Sequence, residues 1–138
     1  MANQRNPEGP VATAELRTTA TTADQLIASF DCTALFAQSW DNAMLKVEAS
    51  VLSFTEAGGA NYGGLIEIVA GVSRRAGVLF VEGIRAPNND ANGIVSGGVT
   101  SMTVVANADN KTVEIKITPR AGNIRHYCTV RAMAWQYQ

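Results

Sequence analysis

His126 is the only histidine among 138 residues, so any Ser-His-Asp or Cys-His nucleophile arrangement must use it as the proton acceptor. Its phase argues against that role. His126 alternates in step with Cys128, Val130, Ala132 and Ala134, which places the imidazole on the apolar face of an extended strand. A core or subunit-interface histidine is expected there rather than a base. Cys32 and Cys128 are too few for a disulfide framework and lack metal-ligand spacing. Both are expected to be free and buried, a single Cys32–Cys128 bridge being the alternative. The carboxylates are scattered, with Glu48 and Glu67 mid-strand on polar faces and Glu56, Asp90 and Asp109 in turns. A glycosidase pair would have to be assembled by the fold, and solvated surface or ion pairing is the expectation. None of the pairs Gly58-Gly59, Gly63-Gly64 and Gly97-Gly98 opens a helix, so none reads as a phosphate loop. The sequon at Asn110 has no meaning without a secretory signal. The chain is therefore expected to be no enzyme, with no catalytic, cofactor-binding or metal-binding residues and no cofactor.

The residues that remain are arginines among aromatics. Arg125 and Arg131 share a face with Tyr127, Met133, Trp135 and Tyr137. Such a face can stack nucleic-acid bases, and it is also the composition of protein–protein interface centres. Eleven Lys and Arg against twelve Asp and Glu leave a net charge of −1, which gives no pull on a polyanion. An interface is favoured over nucleic acid. With 17% charged residues, surface covered by other chains is a further expectation.

These residues must be positioned by strands. Ile124 to Tyr137 keeps a period of two over its whole length, and Val113, Ile115 and Ile117 alternate with polar residues before it. With Pro119 to Asn123 between them, the two runs read as a β-hairpin closing an antiparallel sheet. Gln25 to Phe30, Met44 to Phe54 and Tyr62 to Arg75 read as earlier strands. Arg74 to Gly77 makes a tight turn into Val78 to Ile84, and Asn107 to Asn110 joins Ser101–Ala106 to Thr112–Thr118. Asp31 can cap a short helical turn carrying Leu35, Phe36 and Trp40. Ala86 to Gly98 is a surface loop. The sum is an all-β protein, an antiparallel β-sandwich of jelly-roll type with about seven or eight strands, a closed barrel being the runner-up. Residues 25–138 form the sandwich and 1–24 an extended N-terminal arm. Val11 to Leu16 can be a short strand or a frayed terminus. Val11 and Leu16 give the arm something to pack against a neighbouring subunit. No signal peptide and no membrane-crossing run is present in the sequence, so synthesis and folding in a cytoplasm are expected.

The order of these segments carries a resemblance. A Thr-rich stretch (18–22) leads into a strand and a long alternating strand follows. A strand then ends in Arg74-Arg75 and Gly77, and Val78 to Gly83 comes after it. Asn110 to Thr118 and the run of Gly122, Ile124, His126, Tyr127 and a later valine finish the chain. This profile resembles the small β-sandwich virion proteins of tailed bacteriophages, which serve as capsid decoration (cement) proteins, head-fibre bases or tail appendages. The resemblance covers Thr18 to Tyr137. It implies a structural role in the virion after assembly in a host cytoplasm, frequently as a homotrimer, with a major capsid or other virion protein as partner and no membrane. The arm would clasp a neighbour. Met1 and the length lead to the expectation of a stand-alone protein. A capsid decoration protein is the leading expectation. The alternative is a carbohydrate- or receptor-binding module of a tail fibre, with Trp40, Tyr62 and Trp135 as sugar platforms and Asn88 to Asn92 as a polar loop.

Overall fold

A computed structural model describes residues 2–5, 9–35, 42–56, 63–85 and 98–137. Among them run nine strands: β1 (Ala2–Arg5), β2 (Ala12–Thr18), β3 (Gln25–Asp31), β4 (Ala43–Thr55), β5 (Gly63–Arg75), β6 (Val78–Arg85), β7 (Val99–Ala106), β8 (Thr112–Pro119) and β9 (Ile124–Tyr137). They form two antiparallel sheets. The larger has the order β1-β9-β4-β5-β6, with β2 also on β9, and the smaller the order β3-β8-β7. β1 and β2 lie end to end along one edge of β9, pairing Ala2 with Tyr137 and Thr18 with Ile124.

The sandwich follows from period-two patterning in which one face of each sheet turns inward. Leu45, Val47, Ala49 and Val51 of β4 and Ile66, Ile68, Ala70 and Val72 of β5 are buried in one layer. Val113, Ile115 and Ile117 of β8 and Val104 of β7 are buried in the other. Each branched side chain sealed in this way contributes about 1.5–3 kcal/mol.

The β5–β6 hairpin forms as the sequence predicts. Ala76 and Gly77 both have positive φ, 51° and 77°, the two-residue turn that matches strand twist. The β7–β8 hairpin closes on Asp109, whose carboxylate accepts hydrogen bonds from the Thr112 hydroxyl at 2.7 Å and the Lys111 amide at 2.8 Å. Those bonds, that of Thr112 first, hold the Asp109 pKa below its ordinary value. Asp31 caps the 3-10 turn at Cys32–Leu35, accepting from the Thr33 amide at 2.8 Å. Phe36 and Trp40, expected on the same turn, lie outside the described residues, as do Gly58 to Tyr62 and most of the Ala86–Gly98 loop.

One expected hairpin does not form. β8 pairs with β3 and β7, whereas β9 pairs with β2 and β4, so the two strands lie in different sheets. The buried sides of both strands face one core, and Pro119 to Asn123 arches between the layers instead of turning within one. The jelly-roll nesting is realised in the outer pairs β2–β9 and β3–β8, while β4, β5 and β6 run as a meander within the large sheet. The expected arm is partly sheet. Ala12, Ala14, Leu16 and Thr18 share the inward phase of β2, and Val11, Ala12, Ala14 and Leu16 pack against the core of their own chain.

Candidate functional site

His126 sits wholly inside, with no exposed surface. Its Nδ1 lies 2.7 Å from Ser53 Oγ and its Nε2 lies 2.8 Å from Thr18 Oγ1, both hydroxyls being buried as well. A neutral imidazole has one N–H and one bare nitrogen, so it donates to one hydroxyl and accepts from the other. Burial lowers its pKa to about 4, which keeps the ring neutral at ordinary pH. The arrangement pins β2 and β4 to β9 from within and presents no nucleophile to solvent. The partners went unrecognised in the sequence although the signal was there, since Ser53 falls in the inward phase of β4 with Leu45, Val47, Ala49 and Val51. Gly98 closes this end of the sandwich, and a Cβ there would lie 2.8 Å from Ile124 Cγ2 and 3.0 Å from Ser53 Cβ.

The other reactive types are also committed. Cys32 and Cys128 are free and buried, and burial drives their thiols up to about 12 and about 11. Among the described residues no three His, Cys, Asp or Glu side chains gather as a metal-binding group. Glu56 pairs with Arg17 at 3.3 Å and closely with Arg125. Arg125 also reaches Glu15 at 3.3 Å and donates to the Tyr127 hydroxyl at 3.2 Å. That hydrogen bond first, with Glu15 adding, holds its guanidinium above the ordinary value.

What stands out is the outer face of the large sheet. Leu52 of β4 is directly opposite Leu65 of β5 on one side and Tyr127 of β9 on the other. Phe54, one row away, stacks on Tyr127 with ring centroids 5.9 Å apart. Leu52 is 55% exposed and Phe54 43%. At the other end Met44, 53% exposed, is opposite Trp135 and Ser73, and Ser73 is opposite Phe80. The Arg75 guanidinium lies 4.6 Å over the Phe80 ring and 2.6 Å from Glu82. Between the two apolar ends runs a polar band. Lys46 is 3.1 Å from Glu48, Glu48 is opposite Arg131, and Ser50 is opposite Glu67 and Thr129. Glu48, Ser50, Glu67, Thr129 and Arg131 line a shallow hollow of about 300 Å3. A second hollow of about 270 Å3 lies over Gly71, bounded by Met44, Lys46, Ser73, Glu82 and Trp135. Gly71 is held to glycine by the β-bulge with β6, because a Cβ would stand 2.6 Å from the Glu82 carbonyl oxygen.

The fold thus brings Arg125, Tyr127, Arg131, Met133 and Trp135 onto one outward face, as the phase of β9 predicts. It adds Met44, Leu52, Phe54, Leu65 and Phe80 from three other strands, which no single-strand pattern could group. Tyr137 pairs through its backbone with Ala2, and its side chain lies outside the described residues. Val11 and Leu16 face the chain's own core. Of the sugar platforms expected for the alternative function, Trp135 is half-buried on the outer face. Trp40, Tyr62 and Asn88 to Asn92 lie outside the described residues.

No protein family matches the sequence, and no curated protein does. Among solved structures the chain is similar to part of three tailspike proteins. One, from Acinetobacter baumannii bacteriophage Fri1, is a capsular polysaccharide depolymerase. It is 7% identical, with a TM-score of 0.42 over 88% of this chain and 17% of that one. The tailspike of Acinetobacter baumannii phage AM24 is 8% identical, with a TM-score of 0.44 over 99% of this chain and 26% of that one. The tailspike of Acinetobacter phage vB_ApiP_P1 is 14% identical, with a TM-score of 0.32 over 95% of this chain and 22% of that one. In each case the chain spans about a quarter or less of the protein it matches.

Proposed function

We propose that the chain is a structural subunit of a tailed-bacteriophage virion, a capsid decoration protein that works by adding buried contacts between subunits. The observation that carries this reading is the outer face of the large sheet. Two clusters of large apolar side chains point outward at its ends, with Arg125 and four aromatic rings among them and Arg131 in the polar band between. Contiguous outward apolar surface of this kind marks interaction sites, and aromatic residues, Met and Arg are the types enriched at interface centres. The strand-and-turn order gives the virion setting by resemblance. A decoration protein closes joints in a shell by mass action, each added contact favouring the assembled state without a chemical step. Its partners are two further copies of itself in the trimeric reading from sequence, and a major capsid or other virion protein.

Immunogold labelling of purified particles of the phage that encodes the chain tests the reading. Gold over the heads supports it. Gold confined to the tail moves the chain to the alternative, a carbohydrate- or receptor-binding module of a tail appendage. Particles without label overturn both.

A further inference from the structure

We infer that the outer face of the large sheet is the contact between two copies of this chain, related by a two-fold axis lying between the sheets and close to the direction of β4. The inference deepens the proposed function by naming what occupies that face.

The first argument is size. Thirteen residues of β4 at about 3.4 Å each, across five strand positions about 4.8 Å apart, give a footprint of roughly 800 Å2 or slightly more. That is about what one partner of a standard stable interface buries.

The second is shape. Along β9 the outward side chains include Tyr127, Arg131, Met133 and Trp135. At the same levels β5 carries Leu65, Val69, Gly71 and Ser73. At the levels of Lys46 and Met44 one flank of β4 is therefore a ridge and the other a valley, deepest over Gly71. A two-fold axis along β4 lays each ridge in the other copy's valley. A contact of one patch with itself is the isologous arrangement that two-fold symmetry requires.

The third is charge. Across the middle of the face Lys46 and Arg131 balance Glu48 and Glu67, so the band is neutral as a whole and can meet its own image. The axis brings Arg131 of one copy over the β5 of the other, one row from Glu67, about 7 Å along the strand and within an arginine's reach. Glu48 lies near the axis and brings its own counter-charge in Lys46 at 3.1 Å. At both ends the apolar clusters of the two copies meet. The pair leaves the lateral edges of β2 and β6 and the whole smaller sheet open to other contacts, including those of a threefold assembly.

Light scattering on the full chain is expected to give twice the 14.6 kDa chain mass or an even multiple of it. A monomer or a plain trimer overturns the inference. Arg131→Glu and Glu67→Arg, both at outward positions, are each expected to weaken pairing at least tenfold, because each sets like charges against each other twice. Mixed in equal amounts, the two variants are expected to recover the doubled mass, since every contact in the mixed pair is then opposite in sign. No charge pairing inside one chain produces that recovery. Failure of the mixture to pair overturns the arrangement, as does either variant pairing as tightly alone as the native chain. Leu52→Lys, near the axis, is a second check and is expected to be monomeric with unchanged circular dichroism. Pairing by a protein that labels no virion would sink the virion reading and leave this one standing, so the two fail separately.

Discussion

Ser53 Oγ and His126 Nδ1 lie 2.7 Å apart inside the sandwich, and the burial of that pair makes the fold sensitive to acid. Burial lowers the His126 pKa from 6.5 to about 4. Between those values the unfolded chain binds a proton that the folded chain refuses. The stabilisation is therefore complete above about pH 6.5 and lost as pH falls toward 4. The shift corresponds to about 3–4 kcal/mol at one pKa unit per 1.4 kcal/mol. Urea denaturation at pH 7 and pH 4.5 is expected to show most of that loss. Replacing His126 with Gln is expected to flatten this part of the profile, and an unchanged slope in the variant would assign the acid sensitivity to the carboxylates.

The two hydroxyls on the imidazole should matter separately. Thr18→Val keeps the shape of the side chain and leaves Nε2 without its partner, and Ser53→Ala does the same to Nδ1. An unsatisfied buried polar group costs about 1–3 kcal/mol, and each variant is expected to lose that much in equilibrium unfolding at pH 7. The double variant is expected to lose less than the sum, because both hydroxyls act through one ring. Full additivity would mean that the three groups do not act as a unit.

Much of this was readable in advance, and the unread part has a physical cause. The phase of β9 put His126 inward and Arg131 outward because a period of two admits only two faces. The turn at Ala76-Gly77 was readable because the two-residue loop it closes demands positive φ. The partner of β9 was not readable. Ile115 and Val130 are both core-facing whether their strands are neighbours in one sheet or opposed across two, and the same alternation serves a hairpin and an arch. The outer face was half legible for the same reason. Tyr127 and Trp135 mark it along β9, but Leu52, Leu65 and Phe80 join them only once the register of β4, β5 and β6 is known.

β2 shows how the unread register changes an experiment. A chain beginning near Thr22 would be a sound domain if residues 1–24 were only an arm. In the structure that cut removes β2, strips one edge of β9, takes away Leu16 and Val11 from the core margin and deletes the Thr18 bond to His126. Two large apolar contacts at about 1.5 kcal/mol or more each and one buried hydrogen bond give a loss on the order of 5 kcal/mol. That is comparable with the whole stability of a small domain, about 5–15 kcal/mol. The truncated chain is expected to lose its cooperative thermal transition or to aggregate. A sharp transition near that of the full chain would show that β2 is dispensable.

The cysteines supply a chemical measure of how tightly the sandwich is sealed. Cys32 is flanked by the charges of Asp31 and Asp109, but burial is the larger cause of its rise to about 12, and burial alone lifts Cys128 to about 11. Thiolate is the reactive form, and both thiols are withheld from solvent as well as from ionisation. At pH 8 the native protein is expected to react with a thiol reagent at least a hundredfold more slowly than the urea-unfolded chain, which should titrate two thiols. The linkage also has a sign. Above about pH 9 the unfolded chain loses thiol protons that the folded chain keeps, so stability should fall as pH rises from 9 toward 11. Cys128 lies on β9 between His126 and Val130, with Ala14 of β2 as its neighbour in the sheet, so its labelling rate also reports whether that strand opens. Fast labelling of Cys128 with Cys32 still protected would locate the opening at the β2 edge. Equal slow rates for both would mean that the sandwich opens only as a whole.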